Sequence, residues 1–138
     1  MKLQIIVNES EKIEGYTHLN LQTLQEDIKT IPDNSCESIV AVKVLNRIPL
    51  QSIEGFIDLV LSKLRLGGEI NVSGIEQKVL AKFILNGNIS EQDFNTLLMF
   101  SNSMITRSDA VKLLEVKGLK LKTSNMNGIE YDITATRG

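Results

Sequence analysis

At 138 residues, with 42% apolar and 23% charged residues, the chain is long enough to bury a core and has the size of one domain, residues 1–138. Its 15 Lys and Arg against 17 Asp and Glu give a net charge of −2 with no basic block, which argues against nucleic acid as a main partner. No apolar run reaches the roughly 18 residues of a membrane span, the start MKLQIIVNESEK lacks the apolar region of a secretory signal, and one cysteine excludes a disulfide framework, so a cytoplasmic location is expected.

Leu3–Val7 is a short apolar run rich in β-branched residues and reads as a buried strand. Asn8, Glu9 and Ser10 fill the turn after it, and the first glycine is Gly15. The stretch opens like the nucleotide-binding edge of an α/β enzyme. There, however, the first strand normally runs into glycines, because only a residue without Cβ lets the backbone close on a cofactor. Tyr16–Leu21 alternates weakly as a second strand, Thr23–Ile31 fits either element, and Pro32-Asp33-Asn34-Ser35 is a turn.

Ser38–Leu45, SIVAVKVL, reads as an inner strand covered on both faces. After Pro49, residues Ile53, Phe56, Ile57, Val60, Leu61 and Leu64 mark one face of a helix that the spacing ends at Gly67-Gly68. Glu69–Gly74 follows as a strand, so Ser38–Gly74 is a βαβ unit with parallel strands. Ile75, Val79, Leu80, Phe83 and Ile84 mark a second helix that stops at Gly87. Ser90 with Asp93, and Thr106 with Asp109, have the spacing of N-terminal caps for two more helices, through Phe100 and up to Gly118. Leu119–Ser124 and Ile129–Thr136 flank Asn127-Gly128, a hairpin signal.

Five motifs in order resemble the class I S-adenosylmethionine-dependent methyltransferases, closest to a short bacterial and phage group that begins K-L-N-L-G-C-G and P-G-Y-x-N-V-D. Lys2–Asn8 and Glu14–Asn20 stand in that frame. The group's D-L-x-x-L-P-F-x-D-N-S corresponds to Asp27–Pro32 and Asp33–Ser35, its V-D-E-I-x-A-x-H-V-L-E-H-I to Cys36–Ile48, and its L-K-P-G-G to Leu64–Gly68. The resemblance implies an α/β, Rossmann-like methyltransferase fold, mostly parallel, with a C-terminal antiparallel hairpin and abbreviated helices. Only Glu9–Glu14 is available between the first two strands, too short for a helical crossover.

The scaffold positions match; the departures fall where that family touches its cofactor. Ile6-Val7-Asn8 stands for Gly-Cys-Gly, Asn20 for the acidic residue that ends the second strand, and Asn46-Arg47 for Glu-His. The resemblance makes Asn8, Asn20, Asp27 and Asn46 the vestigial cofactor positions, and only Asp27 keeps an acid. Losing one charge-assisted hydrogen bond costs about 1.5–3 kcal/mol. Two losses with a closed glycine loop move a micromolar site to about millimolar.

No catalytic residue and no metal site are expected. His18 is the only histidine and Cys36 the only cysteine, too few for a structural zinc set or a catalytic pairing. His18 reads as an edge residue, Cys36 as a filler, Arg47 as a solvated loop residue, and Met99, Met104 and Met126 as core or turn residues. The expectation is therefore a pseudoenzyme that needs no cofactor and serves as a binding or structural module. A protein partner or self-association would engage the 119–136 hairpin or the helices of Ile75–Phe100. The alternative is an active small S-adenosylmethionine-dependent methyltransferase with an atypical loop, and a third reading places another nucleotide in the remodelled cleft.

Overall fold

The structure is a computed structural model and describes residues 1–138. Strands β1 (Lys2–Ile6), β2 (Thr17–Asn20), β3 (Cys36–Ala41), β4 (Leu64–Ile75), β5 (Leu119–Asn127) and β6 (Glu130–Arg137) form one sheet in the spatial order β2-β1-β3-β4-β6-β5. The first four run parallel, and β6 is antiparallel to both β4 and β5. The Rossmann-like, mostly parallel sheet with a C-terminal hairpin is thus the observed fold. Helices α1 (Leu24–Asp27), α2 (Ile53–Leu61), α3 (Gln77–Leu85), α4 (Glu91–Met99) and α5 (Arg107–Val116) complete it.

Register explains which side of the sheet is core. Leu3, Ile39, Ile70 and Ala135 lie side by side across β1, β3, β4 and β6, and all four are fully buried. Helix α2 buries Ile53, Phe56, Ile57 and Val60, and α5 buries Ala110 and Leu114. Lys117, at the end of α5, reaches Glu54 at 2.8 Å and Asp58 at 2.9 Å on α2, so the two helices lie together. The next row, Gln4, Val40, Asn71 and Thr134, points to the opposite face because side chains alternate along a strand. Val40, Asn71 and Thr134 there stay half-exposed. The expectation that β3 is covered on both faces therefore fails: one face is sealed, the other only partly.

Three boundaries differ from the sequence reading. Strand β3 ends at Ala41 rather than Leu45, because Lys43 turns into the left-handed region (φ 57) and Leu45–Arg47 winds into a 3-10 turn. Gly67-Gly68 do not stop α2; they lie inside β4, which starts at Leu64 and pairs with Cys36 before a register shift. The hairpin turn is Gly128-Ile129, since Asn127 still pairs with Glu130, and Gly128 at φ 62 supplies the left-handed first position of a two-residue turn. Both N-terminal caps form: Ser90 Oγ accepts from Asp93 N at 3.1 Å and Thr106 Oγ1 from Asp109 N at 3.1 Å.

Candidate functional site

Four parallel strands bring the carboxyl ends of β1–β4 to one edge of the sheet. The chain leaves β1 for β2 on one side while β3 lies on the other, so a crevice opens between β1 and β3. In open α/β sheets such a switch point is where ligands bind. A cavity of about 510 Å³ lies there, with Gln4, Val7, Asn8, Val42, Lys43 and Arg47 in its walls.

The β1 wall is made by the chain's own backbone. No residue from Val7 to Glu14 enters the left-handed region; Asn8 is extended (φ −118, ψ 142), and Glu9–Glu11 form a 3-10 turn. The anchor is Gln4, which the sequence reading passed over and which is 1% exposed. Its Nε2 donates to Glu11 O at 2.7 Å, and Ile13 N donates to its Oε1 at 2.8 Å. Both ends of one amide thereby replace the backbone satisfaction that a crossover helix would give. The signal was available: Gln4 is the one polar residue inside the apolar run from Leu3 to Val7. Asn8 is exposed, and its Nδ2 donates to Glu11 Oε1 at 3.2 Å.

The β3 wall is overlaid by the segment after α4. Lys43 N donates to Ser73 Oγ at 2.7 Å, fixing the left-handed turn. Asn102 N and Ser103 N donate to Asn46 O at 2.7 and 3.2 Å, Asn102 Nδ2 donates to Arg47 O at 2.5 Å, and Ser103 Oγ donates to Ile48 O at 2.7 Å. Asn46 lies buried beneath, its Nδ2 donating to Ser101 Oγ at 3.3 Å while its Oδ1 has no partner. Arg47 is not a freely solvated loop residue. It is half-buried, makes no ion pair, and its guanidinium lies 5.5 Å from the Phe100 ring centroid.

The remaining expected positions stand apart. Asn20 ends β2 and turns inward on its own chain, its Oδ1 accepting from Gln22 N at 2.9 Å. Asp27 ends α1 and accepts from Thr23 Oγ1 at 2.6 Å. Neither lines the crevice, and Asn46 does not line it either; of the four, Asn8 does. His18 Nε2 sits 3.0 Å from Ile13 O, Cys36 is buried, and no three His, Cys, Asp or Glu side chains converge as a metal site.

One acid at this edge is buried. Glu76 follows β4, and its Oε2 accepts from Lys78 N at 2.7 Å and Val79 N at 2.9 Å while Oε1 accepts from Arg107 N at 3.1 Å. It therefore caps α3 and the start of α5 together. Burial pushes its pKa up, but the three backbone donors and Lys78 outweigh this and hold it below its ordinary value. Burial, with the Glu76 charge, pushes the nearby Tyr131 hydroxyl far up.

No protein-family model matches the chain, and no curated protein matches it. Solved structures do. A methyltransferase dependent on S-adenosylmethionine from Archaeoglobus fulgidus superposes with a TM-score of 0.62 at 12% identity, over 96% of this chain and 74% of that one. The fold is that of the class I methyltransferases. Magnesium protoporphyrin IX methyltransferase from Synechocystis, solved with bound S-adenosylhomocysteine, gives 0.60 at 13% identity, over 96% of this chain and 56% of that one. A methyltransferase from Thermotoga maritima, described as a possible histamine N-methyltransferase, gives 0.61 at 12%, over 90% and 65%. At these identities the likeness is one of fold, and the chain spans about two thirds of the length of such enzymes or less in the latter two.

Proposed function

We propose that this domain keeps the methyltransferase fold without the methyl-donor site and serves as a binding or structural module. The observation that carries the reading is the β1 wall: Glu9–Glu11 and Ile13 are held down by Gln4, in a loop without glycine between Val7 and Glu14. Val7 and Asn8 wall the crevice with side chains where the glycine loop of such sites leaves room for the methionine part of the donor. Asn20 offers a neutral oxygen, already accepting from Gln22 N, where a carboxylate would receive both ribose hydroxyls. The residues present do not fit S-adenosylmethionine.

Two surfaces support association with a protein partner or a second copy. In doubly wound folds helices cover both faces of the sheet. Here Ser38, Val40, Asn71, Thr134 and Thr136 stay half-exposed on the face without the first crossover helix. Helix α4 buries no residue, and Leu98, Met99 and Phe100 at its end are 48%, 79% and 55% exposed. Phe83, Phe94 and Leu97 are only half-buried, so this region is not ordinary core.

Isothermal calorimetry with S-adenosylmethionine and S-adenosylhomocysteine tests the first half. A dissociation constant at or above about 1 mM is expected from two lost charge-assisted bonds. One below about 50 μM would refute it and favour the active enzyme that the fold neighbours' dependence on this donor recommends. Ile6→Gly, Asn8→Gly and Asn20→Asp together should tighten binding measurably. Light scattering at tens of micromolar tests association, and a strict monomer that captures no partner would remove that half.

A further inference from the structure

Strand β5 ends the sheet, and its outer edge faces no other strand. Along its nine residues, Leu119–Asn127, alternate backbone N–H and C=O groups therefore lack a ladder partner. Strands β6 and β4 separate this edge from the crevice between β1 and β3, so it is no part of the donor region. A groove of about 440 Å³ opens between β5 and α5. Val111 and Leu121 give it an apolar floor, and Leu121 is 45% exposed. Leu121 and Ser124 face α5 because their partners on β6, Ala135 and Ile133, belong to the buried row. A strand laid beside β5 would send every second side chain into this groove.

Charge says what that strand carries. Arg107 and Lys112 line the groove without an ion pair, and Glu115 is the only acid in its walls. On the other side of β5, Lys120 is exposed and unpaired, while Lys122 sits at the register shift and is held by Glu69. The edge is thus positive on a chain whose net charge is −2. A second copy of β5 would set the same lysines against these, and edge lysines and bulges are the devices that keep like strands apart. Toward an acidic strand the same lysines are attractive. Past the register shift, Thr123–Asn127 carries no charge and pairs regularly with β6, so a ladder can continue on its outer side.

We propose that the β5 edge takes an extended acidic segment of a partner protein as an added strand, its alternate apolar side chains over Val111 and Leu121 and its acids on Arg107, Lys112 and Lys120. The surface lies apart from α4 and from the crevice, and the inference stands whether or not S-adenosylmethionine binds there.

The test is a heteronuclear NMR titration of the full chain with two capped heptapeptides, EVTVTVE and KVTVTVK. With EVTVTVE, saturable shifts are expected at residues 107–115 and 119–127 and a dissociation constant below about 1 mM; KVTVTVK should bind more weakly. Lys112→Glu should weaken EVTVTVE about fivefold, the worth of one reversed exposed charge, and tighten KVTVTVK. Strand pairing has its own readout. EVTVTVE is N-methylated at its even or, separately, at its odd positions, and one form should lose binding while the other keeps it, because only alternate N–H groups of an added strand face β5. Absence of saturable shifts at millimolar EVTVTVE, equal affinity for the two peptides, or like behaviour of the two methylated forms would each overturn the proposal. So would β5 resonances that shift with protein concentration alone, which would assign the edge to a second copy.

Discussion

Removing the charge of Glu76 should loosen two helices at once. Its carboxylate receives Lys78 N, Val79 N and Arg107 N, and the residue is 8% exposed, so solvent cannot replace it. Glu76→Gln keeps the shape and one acceptor oxygen. It loses the charge at two helix N-termini, worth about 0.3–1 kcal/mol each and more when buried, and it leaves at least one backbone N–H facing an amide nitrogen, at about 1–3 kcal/mol. A loss of about 2–4 kcal/mol follows, or roughly 8–15 °C in melting temperature for a domain of this size. The sign with pH is fixed by the depressed folded-state pKa. The stabilisation is fully present above the ordinary value of 4.5 and is lost as pH falls below it through the folded value. Urea denaturation of both proteins from pH 7 downward should therefore show the gap at neutral pH and its closure below about pH 4.5. A neutral-pH difference under about 0.5 kcal/mol, or one that stays constant into acid, would refute the capping role.

Gln4→Leu should destabilise by about 2–4 kcal/mol, because it leaves Glu11 O and Ile13 N without their partners. Limited proteolysis should then cut first between residues 8 and 15, and cleavage no faster than in the parent would contradict the anchoring role of Gln4. Gly74→Ala places a Cβ 2.8 Å from the Tyr131 hydroxyl and should cost about 1–3 kcal/mol. Adding Tyr131→Phe should recover part of that loss, and strict additivity in the double-mutant cycle would count against the contact.

What the sequence made legible was whatever local chemistry determines. Ser90 and Thr106 were readable as caps because one side chain and one backbone N–H three residues on decide them. The parallel pairing of β3 with β4 and the antiparallel pairing of β5 with β6 followed from the βαβ pattern and the hairpin. What was not legible depended on distant partners. Strand β3 stops early because Lys43 N finds Ser73 Oγ, 30 positions away. Gly67-Gly68 looked like a helix stop, and only the pairing of Cys36 with Leu64 shows the strand already under way. Asn8, Asn20, Asp27 and Asn46 were identified by resemblance, yet each position's surroundings are set by this chain: Asn20 by Gln22, Asp27 by Thr23, Asn46 by Ser101. Arg47 read as a solvated loop residue because Phe100 lies 53 positions further on and nothing local announces the stacking.

The two walls of the crevice are held in physically different ways. On the β1 side, Gln4 is buried with its amide oxygen and nitrogen both engaged, and Asn8 bonds within its own turn. That wall carries no unsatisfied group that opening would relieve. On the β3 side, Asn46 Oδ1 is buried without a partner, and an orphaned carbonyl costs about 1–3 kcal/mol. The segment that covers it descends from α4, a helix with no buried residue. Its attachment rests on bonds from Asn102 and Ser103 to the backbone oxygens of residues 45–48 and on Phe100 against Arg47. Lifting it would hydrate Asn46 Oδ1 and give up little apolar burial but would break those hydrogen bonds, so the cover is held by polar contacts to the backbone where the β1 wall is held by one buried amide.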